Sequence, residues 1–589
     1  MISAIPPAFI FILGALLIPL LRGKAKSAVM LLIPVVGFAN LLNTAPGSHG
    51  VVPFLDFELL LFKVDRLSLL FGYIFHFITF ISVIYVLHVK RDLEYMAGFI
   101  YAGSALGVVF AGDLFSFFAF WELLTVGSVM LIWARKTKAS TAAGFRYLMV
   151  HVFGGLVLLA GIVLYIYEQN SIAFGYIGIS GVSSYFIFIG MGINCAWPVL
   201  HPWLSDAYPE ATIGGTIFLS AFTTKAAVYA LARAFPGTES LIWIGAAMAA
   251  FPIFYAVIEN DLRRVLAYSL INQVGFMVVG IGIGTEMSIN GATAHAFNDV
   301  LFKALLFMSM GAVMHRTGKI NATDLGGLYK SMPWTAFFCI VGAASISAFP
   351  FFSVFVSKSM VMEAAAHDHM TVLWLILLFA SAGVFHHAGI KIPFFAFFSH
   401  DAGHRVKEAP LNMLVAMGIT AFLCIFIGSY PAPLYSILPY AVDYQPYTAS
   451  HVMAQTQLLF FSALAFTLLL MSGIYPAEVR AINVDADWFY RKGARLFYMA
   501  MDKGWNGLNR IANQFFIQGL AVSVSRLFRD APVRLSLLVL TPYWAISGLD
   551  AAQKEAEKEK LIRHFRAGIV SLGMIGLSLA LYFCLLFFL

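Results

Sequence analysis

Charge is scarce in this sequence: Asp, Glu, Lys and Arg make up 11% of 589 residues, against roughly a quarter in an ordinary soluble domain. A chain so poor in charge cannot cover a water-facing surface, which excludes a soluble enzyme. Cysteine is scarcer still. Cys195, Cys339, Cys424 and Cys584 each stand in an apolar stretch without CxxC spacing, which excludes a cysteine-built iron–sulfur or zinc centre and argues against a disulfide framework. No nucleotide loop, Ser–His–Asp constellation or haem-attachment motif is present, and no flavin, quinone or metal site is recognisable, so no cofactor is expected. The net charge of +7 does not point to nucleic acid, because a basic excess in so apolar a chain reflects Lys and Arg retained in cytoplasmic loops.

What the chain has instead is hydrophobic residues, 60% of the total, gathered into runs long enough to span a bilayer at about 20 residues each. The runs fall near 4–21, 28–44, 67–88, 95–111, 113–133, 146–167, 182–200, 212–233, 241–258, 265–284, 291–315, 334–356, 371–398, 411–430, 453–474 and 567–589. They predict an all-α, multi-pass membrane protein of about sixteen helices. The first run lacks a basic leading region and is followed by Arg22, Lys24 and Lys26, so it reads as a span with its N-terminus outside rather than a cleaved signal. With that orientation the basic clusters at Lys90/Arg91, Arg135/Lys136/Lys138, Arg263/Arg264, Arg316/Lys319/Lys330 and Arg405/Lys407 all fall on the cytoplasmic side, as insertion requires. Residues 476–565 break the pattern, mixing aromatics with Arg491, Lys492, Arg495 and the run AAQKEAEKEK, and predict amphipathic helices on the cytoplasmic surface. Their part around 532–548 is apolar enough to dip into the bilayer.

Several charges sit inside the apolar runs, where each costs about 2.5–3.5 kcal/mol on insertion scales. Glu122, Lys225 and Lys303 are far from their span ends, whereas Lys358 and Lys391 lie close enough to an end for a lysine to snorkel. His295, Asp299 and Lys303 are spaced i, i+4, i+8 and project from nearly one helical face. A buried series of acid, base and imidazole can pass protons, or exchange them for another cation, because burial and neighbouring charge pull each group's proton affinity in opposite directions. Prolines interrupt two of the runs, in NCAWPVLHPWLSDAYPEA and SISAFPFF, and paired broken segments are how inverted-repeat transporters build sites at the membrane midplane.

The stretches KVDRLSLLF, GDLFSFFAFWELL, HPWLSDAYPEA, TTKAAVYALAR, ENDLRRVLAYSLINQVGFM and HAFNDVLFKALLFMSMGAV followed by FFSVFVSK resemble, in order, those of the proton-translocating antiporter-like family. That family comprises the large subunits of Mrp-type cation/proton antiporters and the antiporter-like subunits of complex I and membrane-bound hydrogenases. The resemblance implies two inverted five-helix repeats with broken helices and a buried hydrophilic axis. Its ion-translocating residues would be Glu122, Lys225, His295, Lys303 and Lys358, with His201 as an accessory. It implies regions at 1–94 (N-terminal helices), 95–235 and 236–408 (the two repeats), 409–475, the surface segment 476–565 and a last span at 566–589.

Three positions depart from the family pattern. Asn194 stands where most members carry a lysine paired to the glutamate. An amide can hydrogen-bond to Glu122 but supplies no charge, so Glu122 is expected to hold its proton more tightly unless Lys225 substitutes. Asp299 stands where relatives carry a second histidine, and Lys391 lies outside the general pattern. DAYPEA favours the Mrp-type D branch, which implies a Na⁺/H⁺ antiporter subunit of a bacterial inner membrane working with other membrane subunits. A proton-pumping subunit of a redox complex and the membrane partner of an inorganic-carbon uptake system use the same scaffold.

Overall fold

The computed structural model describes residues 5–476, 478–481 and 483–565. The chain divides into two compact units, Met1–Asp487 and Trp488–Leu589. The first opens with α1 (Pro7–Leu17) and α2 (Gly23–Leu42). A hairpin follows, β1 (Gly47–Phe54) pairing antiparallel with β2 (Phe57–Val64), Gly47 opposite Val64. Asp65 then caps α3 (Arg66–Val86), accepting from the Ser68 N–H at 2.9 Å, which satisfies one of the orphan donors every helix start exposes.

Two runs of five spans come next, built to one plan. The first holds α4 (Asp92–Phe110), α5 (Leu114–Trp133), α6 (Lys138–Gln169), the pair α7 (Val182–Asn194) and α8 (Pro202–Ala207), and the pair α9 (Ile213–Ala221) and α10 (Thr223–Ala234). The second holds α11 (Glu239–Ala250) continued by α12 (Pro252–Ile258), α13 (Leu262–Ile283), α14 (Glu286–Thr317), the pair α15 (Pro333–Ile346) and α16 (Lys358–His367), and α17 (Thr371–Val384). From α17 the chain passes through π-helical turns at Phe385–Ile390 into α18 (Lys391–Pro393).

Matching details recur at matching places. An aspartate caps both second helices, Asp113 on α5 and Asp261 on α13. Both third helices, α6 and α14, are 32 residues long. The loop after α7 holds Ala196 and Val199 at φ of 59° and 71°, and the loop after α15 holds Ala348 and Phe351 at 59° and 73°. Left-handed backbone costs a non-glycine residue about 1–2 kcal/mol, so its recurrence at the same two positions marks the breaks as built features. Five crossings, an odd number, bring the second run in upside down relative to the first.

The unit closes with α19 (Leu411–Ser429), α20 (Ala432–Ser436) and α21 (Ala449–Met471). The second unit is α22 (Asp487–Ala500), α23 (Asn506–Ala512) and α24 (Val522–Ile546), joined through π-helical turns and followed by a helical stretch at 551–565. The stretch around 532–548 is thus mostly the end of α24, helical through Pro532 and Pro542.

Among the described residues, twelve helices are long and apolar enough to cross a membrane, and three shorter apolar ones, Pro7–Leu20, Val182–Asn194 and Pro333–Ile346, fall on three further runs of the sequence. The run predicted near 567–589, with Cys584, lies outside the described residues. The other three cysteines are free and buried.

Burial separates the helices that carry charge from those that do not. The apolar window of Ile213–Ala234 is wholly buried within the protein and those of α13 and α14 are 94% and 89% buried, against 17% for α21 and 28% for α2. The charged side chains therefore face protein, not lipid. Close packing depends on small residues, as in other membrane bundles: a Cβ on Gly275 of α13 would run into the Ala249 backbone of α11.

Candidate ion-translocation site

Lys225 sits three residues past a helix break. The chain leaves helical hydrogen bonding at Phe222 (φ −107°, ψ −62°), and the freed Ser220 carbonyl accepts from Lys225 Nζ at 3.0 Å. Unwound backbone that turns its carbonyls on a cation is how membrane proteins satisfy both inside a low-dielectric interior. The same ammonium forms an ion pair with Asp299, and neither side chain has any exposure. This pair joins α10 of the first repeat to α14 of the second.

From Asp299 the polar groups continue along one face of α14. One turn further, Lys303 donates to Ser269 Oγ of α13 at 2.7 Å. One turn back, His295 meets Gln273 Oε1 at 3.1 Å and Ser357 Oγ at 3.3 Å. Next in the chain, Lys358 donates to Ser381 Oγ of α17 at 2.7 Å and lies 5.4 Å from the Phe276 ring centre. Lys358 also lines a cavity of about 670 Å³ shared with Glu363, Asp443, Thr448 and His451. A second cavity of about 410 Å³, lined by Tyr85, His88, Glu94, Arg135, Thr212 and His315, is built from loops of the opposite parity and so opens toward the other end of the spans.

Glu122 lies on α5, half-buried, with Oε1 pressed against Gly155 of α6 so closely that a Cβ there would overlap it. That oxygen has no hydrogen-bond partner among the described residues. The structure therefore corrects two sequence expectations. Asn194 does not bond to Glu122; its Oδ1 meets His151 Nδ1 of α6 at 2.8 Å, because the short amide ends at α6 before reaching α5. Lys225 does not stand in for the missing cation either, since Asp299 holds it.

The remaining residues lie at the end of the spans that carries the basic loops. His201 Nε2 is 3.1 Å from both oxygens of Asp485, which also accepts from Tyr268 at 2.8 Å. Lys391 donates to the Val257 and Glu259 carbonyls at 2.6 and 2.7 Å and pairs with Glu478 at 2.8 Å. Asn483 donates to Glu259 at 3.0 Å, and Arg480 pairs with Asp324. The residues between α21 and α22 are thus tied to both repeats.

Burial raises the proton affinity of Asp485, but its bonds to His201 and Tyr268 outweigh that and hold its carboxyl below the usual range. A carboxyl depressed in the folded state stabilises at neutral pH and loses that contribution as pH falls through its folded value. Amide exchange around Asp485 is therefore expected to quicken only in acid, below the ordinary carboxylate value of 3.8. In Asp485→Asn it is expected to be fast already at neutral pH; equal exchange in the two proteins would show that the carboxylate holds nothing.

The sequence reading missed His151, Glu478 and Asp485. Glu478 and Asp485 carry no sequence signal, being ordinary acids in a polar stretch. His151 had one: it is the fourteenth residue of α6, as Asp299 is of α14.

Residues 111–386 match the model of the NADH:quinone oxidoreductase/Mrp antiporter transmembrane family. The match takes in a little under half of the chain. The chain is 26% identical to hydrogenase-4 component B of Escherichia coli over 88% of its own length and 87% of that protein's. It is 28% identical to a Na⁺/H⁺ antiporter subunit of Alkalihalophilus pseudofirmus over 73% of its length, but spans only 60% of that protein. Its fold matches a chain of the membrane-bound sulfane sulfur reductase, an archaeal respiratory membrane complex, with a TM-score of 0.69 at 22% identity, covering 91% of this chain and 99% of the other.

Proposed function

We propose that this chain is the proton-translocating membrane subunit of a multisubunit complex in a bacterial inner membrane. Glu122, Lys225, His295, Lys303 and Lys358 carry the proton, and the chain itself catalyses no reaction. One observation carries this reading: Lys225–Asp299, Lys303, His295 and Lys358 form a buried polar series across the interface of two inverted repeats. Lys303 and Lys358 each hold one hydroxyl partner and Lys225 one carbonyl and one carboxylate, so a shift of charge at one changes the proton affinity of the next. The driving reaction lies on partner chains. Similarity over nearly the whole length to hydrogenase-4 component B supports a redox-driven complex. A second reading, exchange of protons for Na⁺, is supported by the Glu363 and Asp443 carboxylates in the cavity that Lys358 lines, and by the likeness to the Na⁺/H⁺ antiporter protein of Alkalihalophilus pseudofirmus.

The test is proton uptake in inside-out vesicles from a host carrying the chain with its native gene neighbours, driven either by an electron donor or by a Na⁺ pulse. Uptake is expected to vanish in Glu122→Gln and Lys303→Ala with the complex still assembled, and the driver that works decides between the readings. Unchanged uptake in both variants would leave the chain a scaffold.

A further inference from the structure

The first repeat contains a polar constellation that the series above leaves unused. Tyr147, His151 and Gly155 are the tenth, fourteenth and eighteenth residues of α6; His295, Asp299 and Lys303 hold the same places in α14. Helical spacing puts each set on one face. In α14 that face carries titratable groups throughout. In α6 the last place is a glycine, and Glu122 reaches into the space from α5. The acid of one helix thus fills the position that a base fills in the other repeat, one turn from His151.

His151 is buried, held at Nδ1 by Asn194 Oδ1 at 2.8 Å. Its ring centre lies 4.1 Å from that of Tyr147, tilted by 36°, and 4.5 Å from that of Trp203, edge-on. A carbonyl oxygen at Nδ1 fixes the tautomer with the proton on Nδ1, which leaves Nε2 as a free base. Nε2 has no partner among the described residues, and neither do Glu122 Oε1, Thr125 Oγ1 and Asn194 Nδ2. Buried polar atoms in native proteins are satisfied by protein or by water, so four such atoms on three adjacent helices mark a place built to be wet. Toward Lys225 the hydroxyls continue. Tyr147 shares a hydrogen bond with Ser128 at 2.8 Å. Tyr101 bonds to Thr223 Oγ1 at 2.6 Å and accepts from the Thr223 N–H at 3.0 Å, a donor released by the break at Phe222, two residues before Lys225.

We infer that His151, oriented by Asn194, is the base that exchanges a proton with Glu122, and that the Tyr147–Thr223–Tyr101 hydroxyls join this pair to Lys225. One proton is shared: either Glu122 is neutral and His151 is neutral, or Glu122 is an anion and His151 a cation, and the transfer moves only that proton through the intervening water. The inference deepens the proposed function by naming the partner that Glu122 otherwise lacks. Around His151 the titratable groups are Glu122 from α5, Tyr147 on its own helix and Tyr208 from the turn after α8. On α6 itself the Arg146–Asp206 ion pair at 2.7 Å begins just over one turn back and keeps its charges matched.

The test follows the Glu122 carboxyl by infrared difference titration of the purified complex, assigned by the band lost in Glu122→Gln. Without a base beside it the acid keeps its proton to higher pH. In His151→Phe, which keeps an aromatic ring against Tyr147 and Trp203, the titration is expected to move up by roughly one pH unit, about 1.4 kcal/mol. Asn194→Leu is expected to move it in the same direction, and His151→Lys to return it toward or below the wild-type position. A Glu122 titration identical in wild type and in a folded, assembled His151→Phe would overturn the inference. The readout needs no transport, so it stands apart from the test of the proposed function: vesicles that move no protons would sink that reading and leave this one measurable.

Discussion

Replacing Lys225 with Met is expected to lower the stability of the protein by about 3–5 kcal/mol, the cost of leaving one partner of a buried ion pair without the other. Asp299 has no exposure, and among the described residues the Lys225 ammonium is the one group paired with it directly, with Lys303 a turn away. The double variant Lys225→Met/Asp299→Leu is expected to recover most of the loss, because apolar pairs of similar volume often match or exceed a buried salt bridge. Thermal unfolding of the purified complex measures both, and proton uptake is expected to be absent in both. A Lys225→Met protein as stable as wild type would mean that the pair contributes nothing to folding.

The same thin support suits the pair to switching. A carboxylate anchored by several donors stays where it is; Asp299 has one cation at hand and a second, Lys303, one turn along its own helix at the spacing where side chains meet. Moving from one lysine to the other would leave Lys225 with only the Ser220 carbonyl. Asp299→Asn keeps the shape and removes the charge, and on this account uncouples the two lysines.

Much of this was legible in the sequence, because lipid leaves few options for a backbone. Apolar runs must be helices, so twelve of the sixteen predicted spans coincide with helices long enough to cross a membrane and three overlap shorter apolar ones, that at 334–356 ending at Ile346; the sixteenth lies outside the described residues. The stripe of His295, Asp299 and Lys303 followed from helical spacing alone. Pairing did not. Which carboxylate Lys225 meets depends on how α10 packs on α14, and no local pattern records that. Asn194 and Glu122 looked like partners because both stand at family positions, yet α6 lies between them and offers His151. Register within the repeat would have found His151, since α6 and α14 have the same length and the same spacing of polar residues. Lys391 also becomes intelligible only through the repeat: it follows the wide turns after α17 as Lys225 follows the break after α9.

That equivalence carries the last prediction. Lys391 has two kinds of support: the carbonyls of Ala256, Val257 and Glu259 at the end of α12, and the Glu478 carboxylate. A helix C-terminus favours a cation by itself, so removing Glu478 leaves Lys391 well held. The reverse is not true. Burial pushes the Glu478 carboxyl up, nearby Glu259 adds to that, and Lys391 is the group that opposes both. Glu478→Gln is therefore expected to cost clearly less stability than Lys391→Met. Lys391→Met is expected to cost about 3–5 kcal/mol and to free the segment before α22, read as rapid amide exchange around Glu478. Raising the acidity of the buffer should narrow the gap between Lys391→Met and wild type, because a protonated Glu478 no longer needs the cation. If Lys391 also carries protons, as its place in the repeat implies, Lys391→Met loses uptake while Glu478→Gln keeps it; equal loss in both would make the ion pair, and not the lysine, the working unit.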